Sequence, residues 1–103
     1  MKAIINGKAY NTDTATEVDS YWNGYSSGDF HYVCETLYRT AKGKFFLHGI
    51  GGPMTPYARA YGNGYGGGEE IIPYTETEAL EWCELRDCTD AIDAHFAHLV
   101  EEA

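Results

Sequence analysis

The sequence predicts an α+β fold, an antiparallel sheet of four to five strands with two C-terminal helices packed on one face. Two runs rich in Tyr, Phe, Val and Leu flank a glycine-containing connector at 41–44, which is typical of a β-hairpin. In the last third, apolar residues recur at helical spacing instead. At 103 residues, the chain has room for one domain, 1–103, with one modest core.

The N-terminal part of the chain predicts three strands. Residues 3–5 and 8–10 are expected to pair across Asn6-Gly7, because Asn-Gly between apolar residues is a strong turn signal. Residues 18–25 are rich in Tyr and Trp, which favour strands. Asn23-Gly24 within this segment predicts either a bulge or an early end of the strand.

The central hairpin is expected at about residues 31–40 and 44–49. Strand alternation distributes apolar side chains over both of its faces, with Cys34 and Tyr38 on one and Val33 and Leu37 on the other. Both faces therefore need cover from the rest of the chain.

The segment that follows the sheet predicts irregular structure. A threonine cap, a proline at the first position and a glycine past the end predict a short helix over 56–61. The glycine-rich run 62–68 predicts a mobile loop. Residues 69–73 predict a short edge strand, which Pro73 should end.

Two helices are predicted in the last third. Thr75 and Glu78 have the spacing of a capping box, so the first helix should start there and run to about Arg86. Its apolar face is Ala79, Leu80 and Cys83, and its acidic face is Glu78, Glu81 and Glu84. The second helix should start at about Asp90 and present an apolar stripe of Ile92, Phe96, Leu99 and Val100.

Acidic residues are concentrated at the C-terminal end. The chain has a net charge of −9, and from residue 69 onward eleven acidic residues are opposed only by Arg86. Such a chain lacks the basic surface that nucleic acids and anionic membranes attract. We therefore expect a protein partner with a basic surface, and no direct binding to nucleic acid or membrane.

The candidate partner-binding residues are nine carboxylates: Glu69, Glu70, Glu76, Glu78, Glu81, Glu84, Asp87, Asp90 and Asp93. An acidic face opposite an apolar one is also what any solvated amphipathic helix shows. The scarcity of Lys and Arg favours a binding role, because ordinary surface helices interleave them with Glu. Three-residue steps along a helix rise about 4.5 Å, a spacing similar to that of nucleic-acid backbone charges. The acidic face is therefore a candidate phosphate mimic.

The sequence predicts no catalytic residue, no cofactor and no metal site. Cys83 and Cys88 with a histidine leave the alternative of a small thiol- or metal-dependent factor, although their spacing is wider than in most small zinc modules. The glycines of 62–67 fit a dinucleotide-binding spacing, but Glu69-Glu70 follows them and would repel phosphate. Three cysteines and the lack of a long apolar run favour reduced thiols and a cytoplasmic location.

Five short motifs carry a resemblance to known proteins: Asn6-Gly7-Lys8, Leu37-Tyr38-Arg39-Thr40, Phe46-Leu47-His48-Gly49, Ile71-Ile72-Pro73 and Glu78-Ala79-Leu80-Glu81-Trp82. Over roughly residues 4–83 the chain resembles a family of small, mostly uncharacterised proteins of bacterial plasmids, phages and integrated elements. Small acidic proteins of such elements include anti-CRISPR proteins and DNA-mimicking anti-restriction proteins. The resemblance implies a non-enzymatic inhibitor that occupies the nucleic-acid channel of a CRISPR effector in a bacterial host, with an anti-restriction protein as the alternative. It assigns no functional residue.

Overall fold

The computed structural model describes residues 1–103 and confirms the α+β fold. Four antiparallel strands form the main sheet in the order β3-β4-β5-β8, and two helices follow them at the C-terminus. In chain order the elements are β1 Lys2–Ile5, β2 Lys8–Asn11, β3 Thr16–Trp22, β4 Val33–Arg39, β5 Phe45–Gly51, β6 Arg59–Tyr61, β7 Gly64–Gly66, β8 Gly68–Tyr74, α1 Glu76–Leu85 and α2 Thr89–His95. A 3₁₀ turn, Ala97–Leu99, ends the chain's regular structure. None of the helices has the length and apolar character required to cross a membrane.

The predicted central hairpin is confirmed as β4 and β5, the two inner strands of the sheet. Leu37 lies opposite Leu47, and Tyr38 lies opposite Phe46. Gly43 closes the turn with a φ of 81°, a conformation that only glycine adopts without strain. Consecutive residues of each strand point to opposite faces, so this register builds two separate apolar surfaces.

One face of the sheet packs against α1 and α2. Its core consists of nine buried residues, Leu37, Phe45, Leu47, Ala79, Trp82, Cys83, Cys88, Ala91 and Phe96. The Phe45 and Phe96 rings meet with centroids 5.0 Å apart, which ties the end of α2 to the sheet. The capping box predicted for α1 is confirmed, with the Thr75 hydroxyl accepting from the Glu78 amide and the Glu78 carboxylate accepting from the Thr75 amide.

The opposite face of the sheet is partly covered by the β1–β2 hairpin. Tyr10 of this hairpin packs edge-on against Phe46 with ring centroids 5.6 Å apart, and Tyr38 stacks on the same ring at 5.1 Å. Tyr10, Phe46 and Ile71 form a second, smaller buried cluster. The predicted Asn6-Gly7 turn is confirmed, and both of its residues have positive φ angles.

The helix predicted over 56–61 is wrong, and so is the mobile loop predicted over 62–68. The chain forms a β-hairpin instead, in which β6 pairs with β7 around a turn at Gly62, where φ is 55°. The glycines are needed for close packing rather than for mobility. A Cβ at Gly67 would lie 2.8 Å from the Gly51 carbonyl oxygen, and one at Gly66 would collide with the Tyr61 ring.

Two strand ends bear on the predictions. β3 ends at Trp22, so the early end predicted at Asn23-Gly24 is confirmed, while the register irregularity of this strand falls between Glu17 and Asp19. The Asn23 side chain instead bonds the backbone of the next segment, donating to the His31 carbonyl at 2.6 Å. β8 continues through Pro73 to Tyr74, because Pro73 is on an edge strand, where its missing N–H leaves no partner unsatisfied.

The apolar stripe predicted for the second helix is only partly correct. Phe96 is fully buried, whereas Leu99 and Val100 are 38% and 55% exposed. The reason is that α2 ends at His95, so the two later residues do not continue its apolar face.

We expect Phe96→Ala to lower the free energy of unfolding by about 3–5 kcal/mol, because it leaves a cavity beside Phe45 in the main core. Leu99→Ala, at a half-exposed position, should cost less than about 1 kcal/mol. Urea titrations of both variants test this. Similar midpoint shifts for the two variants would contradict the assignment of Phe96 to the core.

Candidate functional site

All nine candidate carboxylates are exposed, and they lie on β8, on α1, on α2 and in the turn between the helices. Glu69 and Glu70 are consecutive on β8, so they point to opposite faces of the sheet. Glu70 shares the helix-covered face with Glu35, while Glu69 lies on the other face with Ile50. The nine residues therefore do not form one continuous surface.

Three of the nine carboxylates have a basic neighbour. Glu69 lies 2.9 Å from the His48 ring, Glu76 lies 2.9 Å from the His98 ring, and Glu70 lies 3.8 Å from the Arg59 guanidinium. The Glu70 and Glu76 contacts lie at exposed sites, where an ion pair contributes about 0–1 kcal/mol, whereas the His48 side chain is half-buried.

The other six carboxylates form no salt bridge. They are Glu78, Glu81, Glu84, Asp87, Asp90 and Asp93, and all belong to α1, α2 or the turn between them. Glu78 is engaged in the capping box of α1, so its charge also interacts favourably with the N-terminus of that helix. Glu81 and Glu84 have no such structural role. The helical segment thus presents an acidic surface without a neutralising cation.

Arg86 is the single basic residue after position 69, and its charge is taken up inside the fold. Its guanidinium nitrogen lies 3.0 Å from a Glu35 oxygen, and its planar group lies 3.7 Å from the centre of the Tyr21 ring. The side chains of Arg86 and Glu35 are 23% and 12% exposed. A cation stacked on an aromatic ring and paired with a carboxylate is held firmly, so it does not offset the acidic surface.

Glu35 is the centre of a polar network that the sequence did not reveal. One oxygen accepts from Arg86 and, at 3.1 Å, from the Trp82 indole; the other accepts from the Tyr57 hydroxyl. Burial raises the pKa of the Glu35 carboxyl, but the hydrogen bonds from Tyr57, Trp82 and Arg86 outweigh it, and the pKa lies below the usual range. Burial and the bond to this carboxylate raise the pKa of Tyr57 strongly. The carboxylate therefore stays charged and fully engaged, which suits a structural role.

The position of Tyr57 depends on two glycines of β5. Gly49 lies directly opposite Glu35 in the sheet, and a Cβ at Gly49 would collide with the Tyr57 ring. Gly51 leaves the space that Thr55 fills in the same way. Glycine in a strand is unfavourable by itself, but here it lets the following segment lie flat on the sheet. Tyr57 is consequently buried, and its hydroxyl reaches Glu35.

The two cysteines of the alternative hypothesis lie together in the main core. Cys83 and Cys88 are buried in the helix-covered core, whereas Cys34 is on the opposite face. Burial is the main reason that the pKa of the Cys83 thiol rises to about 11 and that of the Cys88 thiol to about 12. These thiols are protonated at neutral pH and poorly nucleophilic. No group of three or more His, Cys, Asp or Glu side chains has an arrangement that would hold a metal ion.

The comparisons with known proteins add no identification. No protein-family model, curated protein or solved structure matches this chain. The candidate site is therefore defined by its own geometry, an acidic helical surface beside a half-buried Glu35–Arg86 pair.

We expect Glu35→Gln to lower the free energy of unfolding at pH 7 by about 2 kcal/mol, because three donors lose a charged acceptor. The pKa of Glu35 is lower in the folded state than its ordinary value of 4.5, so its contribution is complete above pH 4.5 and is lost as pH falls further. The difference between wild type and variant should therefore shrink below that pH.

Urea titrations of both proteins between pH 7 and pH 3 measure this difference. Glu81→Gln, at an exposed carboxylate without a salt bridge, is the matched control and should change stability by less than about 0.5 kcal/mol at any pH. A pH-independent gap between wild type and Glu35→Gln would show that the carboxylate charge is not what holds the network.

Proposed function

We propose that this protein is a non-enzymatic, anti-CRISPR-like inhibitor of a host defence complex. Its acidic helical surface, made of the six unpaired carboxylates of α1, α2 and their turn, occupies the Lys- and Arg-lined channel in which a CRISPR effector holds DNA or RNA. The observation that carries the proposal is the pairing of Arg86 with Glu35 and its stacking on Tyr21, which leave the six carboxylates without a salt bridge. The choice of a CRISPR effector as the partner comes from the family that the sequence resembles.

The spacing of the helical carboxylates supports a phosphate mimic. Glu78, Glu81 and Glu84 follow one another at three-residue steps on the outer side of α1, each rising about 4.5 Å along the axis. The phosphate charges of one B-DNA strand repeat about every 3.4 Å along the helix axis, so the two spacings are of the same order. A channel that binds phosphates through flexible Lys and Arg side chains can accommodate this difference.

The rigidity of the surface also favours binding. α1 is fixed to the sheet by the buried Ala79, Trp82 and Cys83 and by the Glu35 network, so the backbone positions that carry its carboxylates are set before a partner arrives. A preorganised backbone reduces the conformational entropy lost on binding. A solvated face without a partner would gain nothing from this uniform charge, because like charges on a helix repel one another.

The decisive variant is the double substitution Glu81→Gln and Glu84→Gln, which removes two charges and leaves the capping box intact. We expect it to bind the effector at least about tenfold more weakly, because close charge pairs across an interface contribute strongly to affinity. Wild-type affinity should also fall between 0.1 M and 1 M salt, as the Debye length shortens from about 10 Å to 3 Å. Competition with labelled DNA for a panel of purified CRISPR effectors measures both effects.

The matched control is Asp13→Asn with Glu17→Gln, which removes two exposed negative charges outside the helices. Equal inhibition by the two double variants would reject the acidic helical surface as the contact. A ternary complex of effector, DNA and this protein would reject occupation of the channel. Restriction enzymes should be assayed in parallel with the effectors. Inhibition of a restriction enzyme, with no effect on any CRISPR effector, would favour the anti-restriction alternative and contradict the CRISPR assignment.

A further inference from the structure

A second charged feature lies in a groove between the β1–β2 and β4–β5 turns. The groove has a volume of about 450 Å³ and is lined by β2, by the segment after it and by the β4–β5 turn, with Lys8, Tyr10, Thr40, Ala41, Lys42 and Lys44 among the lining residues. This volume falls in the range typical of small-molecule sites. Residues far apart in sequence build the groove, and Tyr10 holds them together by packing on Phe46.

The groove concentrates positive charge in an acidic protein. Lys8, Lys42 and Lys44 are three of the seven basic residues of the chain, none of them forms a salt bridge, and no carboxylate lines the groove. Asp13 lies between the lining residues Asn11 and Thr14, and it forms no salt bridge with any of the three lysines. Lysines that line one groove without an ion-pair partner repel one another, and an anion between them relieves that repulsion.

The β4–β5 turn, which carries two of the lysines, also provides uncharged hydrogen-bond donors. The backbone N–H groups of Ala41 and Lys42, at the tip of the β4–β5 turn, donate to no acceptor in the protein. The Thr40 hydroxyl oxygen accepts from the Lys44 amide at 3.1 Å, which leaves its own proton free to donate. Free amides of a turn together with ammonium groups are typical of phosphate recognition.

We propose that this groove binds a small anion carrying a diphosphate group, either inorganic diphosphate or the diphosphate of a nucleotide. Several adjacent negative charges match three lysines better than a single charge does. The groove is separate from the acidic helical surface, because none of its lining residues belongs to α1 or α2.

Titration of the full chain with inorganic diphosphate, ADP, orthophosphate and adenosine tests the proposal, with backbone amide chemical shifts and calorimetry as readouts. Diphosphate and ADP should bind and shift the amides of Ala41 and Lys42, and orthophosphate should bind more weakly. Preference for ADP over diphosphate assigns a nucleotide as the source of the anion, and equal affinity assigns the diphosphate group alone. Adenosine binding as tightly as ADP would overturn the proposal, and so would the lack of binding by both diphosphate-bearing probes at millimolar concentration.

Single substitutions locate the site. Lys8→Gln and Lys42→Gln should each weaken diphosphate binding about tenfold, since each removes one charge-assisted contact. Lys2→Gln, which removes one exposed lysine that does not line the groove, should leave binding unchanged. Equal losses in all three variants would assign the effect to net charge and contradict the groove. The double variant at Glu81 and Glu84 should bind diphosphate like the wild type. A failure of the diphosphate proposal can therefore be distinguished from a failure of the proposed inhibition.

Discussion

The half-buried carboxylate of Glu35 makes the interaction on which the arrangement of this small fold depends. It lies on an inner strand of the sheet and accepts hydrogen bonds from Tyr57 in the segment after β5 and from Trp82 and Arg86 in and just after α1. A carboxylate removed from water is costly unless its oxygens are satisfied, so each of these three groups is constrained to one position. The helix and the segment after β5 are thereby fixed relative to the same strand.

This network also determines the charge distribution of the surface. Because Arg86 is held against Glu35 and the Tyr21 ring, the helical segment has no free cation to offset its carboxylates. Three of the four lysines lie around the two hairpin turns, where Tyr10 packs on the face of the sheet opposite the helices. The protein therefore has an acidic region and a basic region that are separated by the sheet, and the two proposed binding surfaces follow from this separation.

Local signals made much of the fold predictable. The Asn6-Gly7 turn, the central hairpin and the capping box at Thr75 each depend on neighbouring residues, and all three are confirmed. The Glu35 network was not predictable, because its partners lie 22, 47 and 51 positions away in the sequence. The single acidic residue of β4, placed between Cys34 and Thr36 on an inner strand, was the one signal that pointed to it.

The error at 62–68 arises because glycine occurs both in mobile linkers and where two backbones pack closely. The run 62–68 has the composition of a mobile linker, yet its glycines remove side chains where backbones pack closely. Composition alone does not distinguish these uses, since the distinction depends on what lies opposite in space. The exposure of Leu99 and Val100 was mispredicted for a different reason. The spacing of apolar residues does not show where a helix ends.

The irregularities of the two outer strands bear on how the protein behaves when it is abundant. β3 and β8 both have one unpaired edge, and such edges are templates for addition of a strand from another molecule. The bulge between Glu17 and Asp19 interrupts one edge, and Pro73 removes a hydrogen-bond donor from the other. Edge-to-edge polymerisation is thus disfavoured on both sides. Both irregularities therefore oppose the addition of a strand from one copy of this chain to the sheet of another, an event that becomes more frequent as the concentration rises.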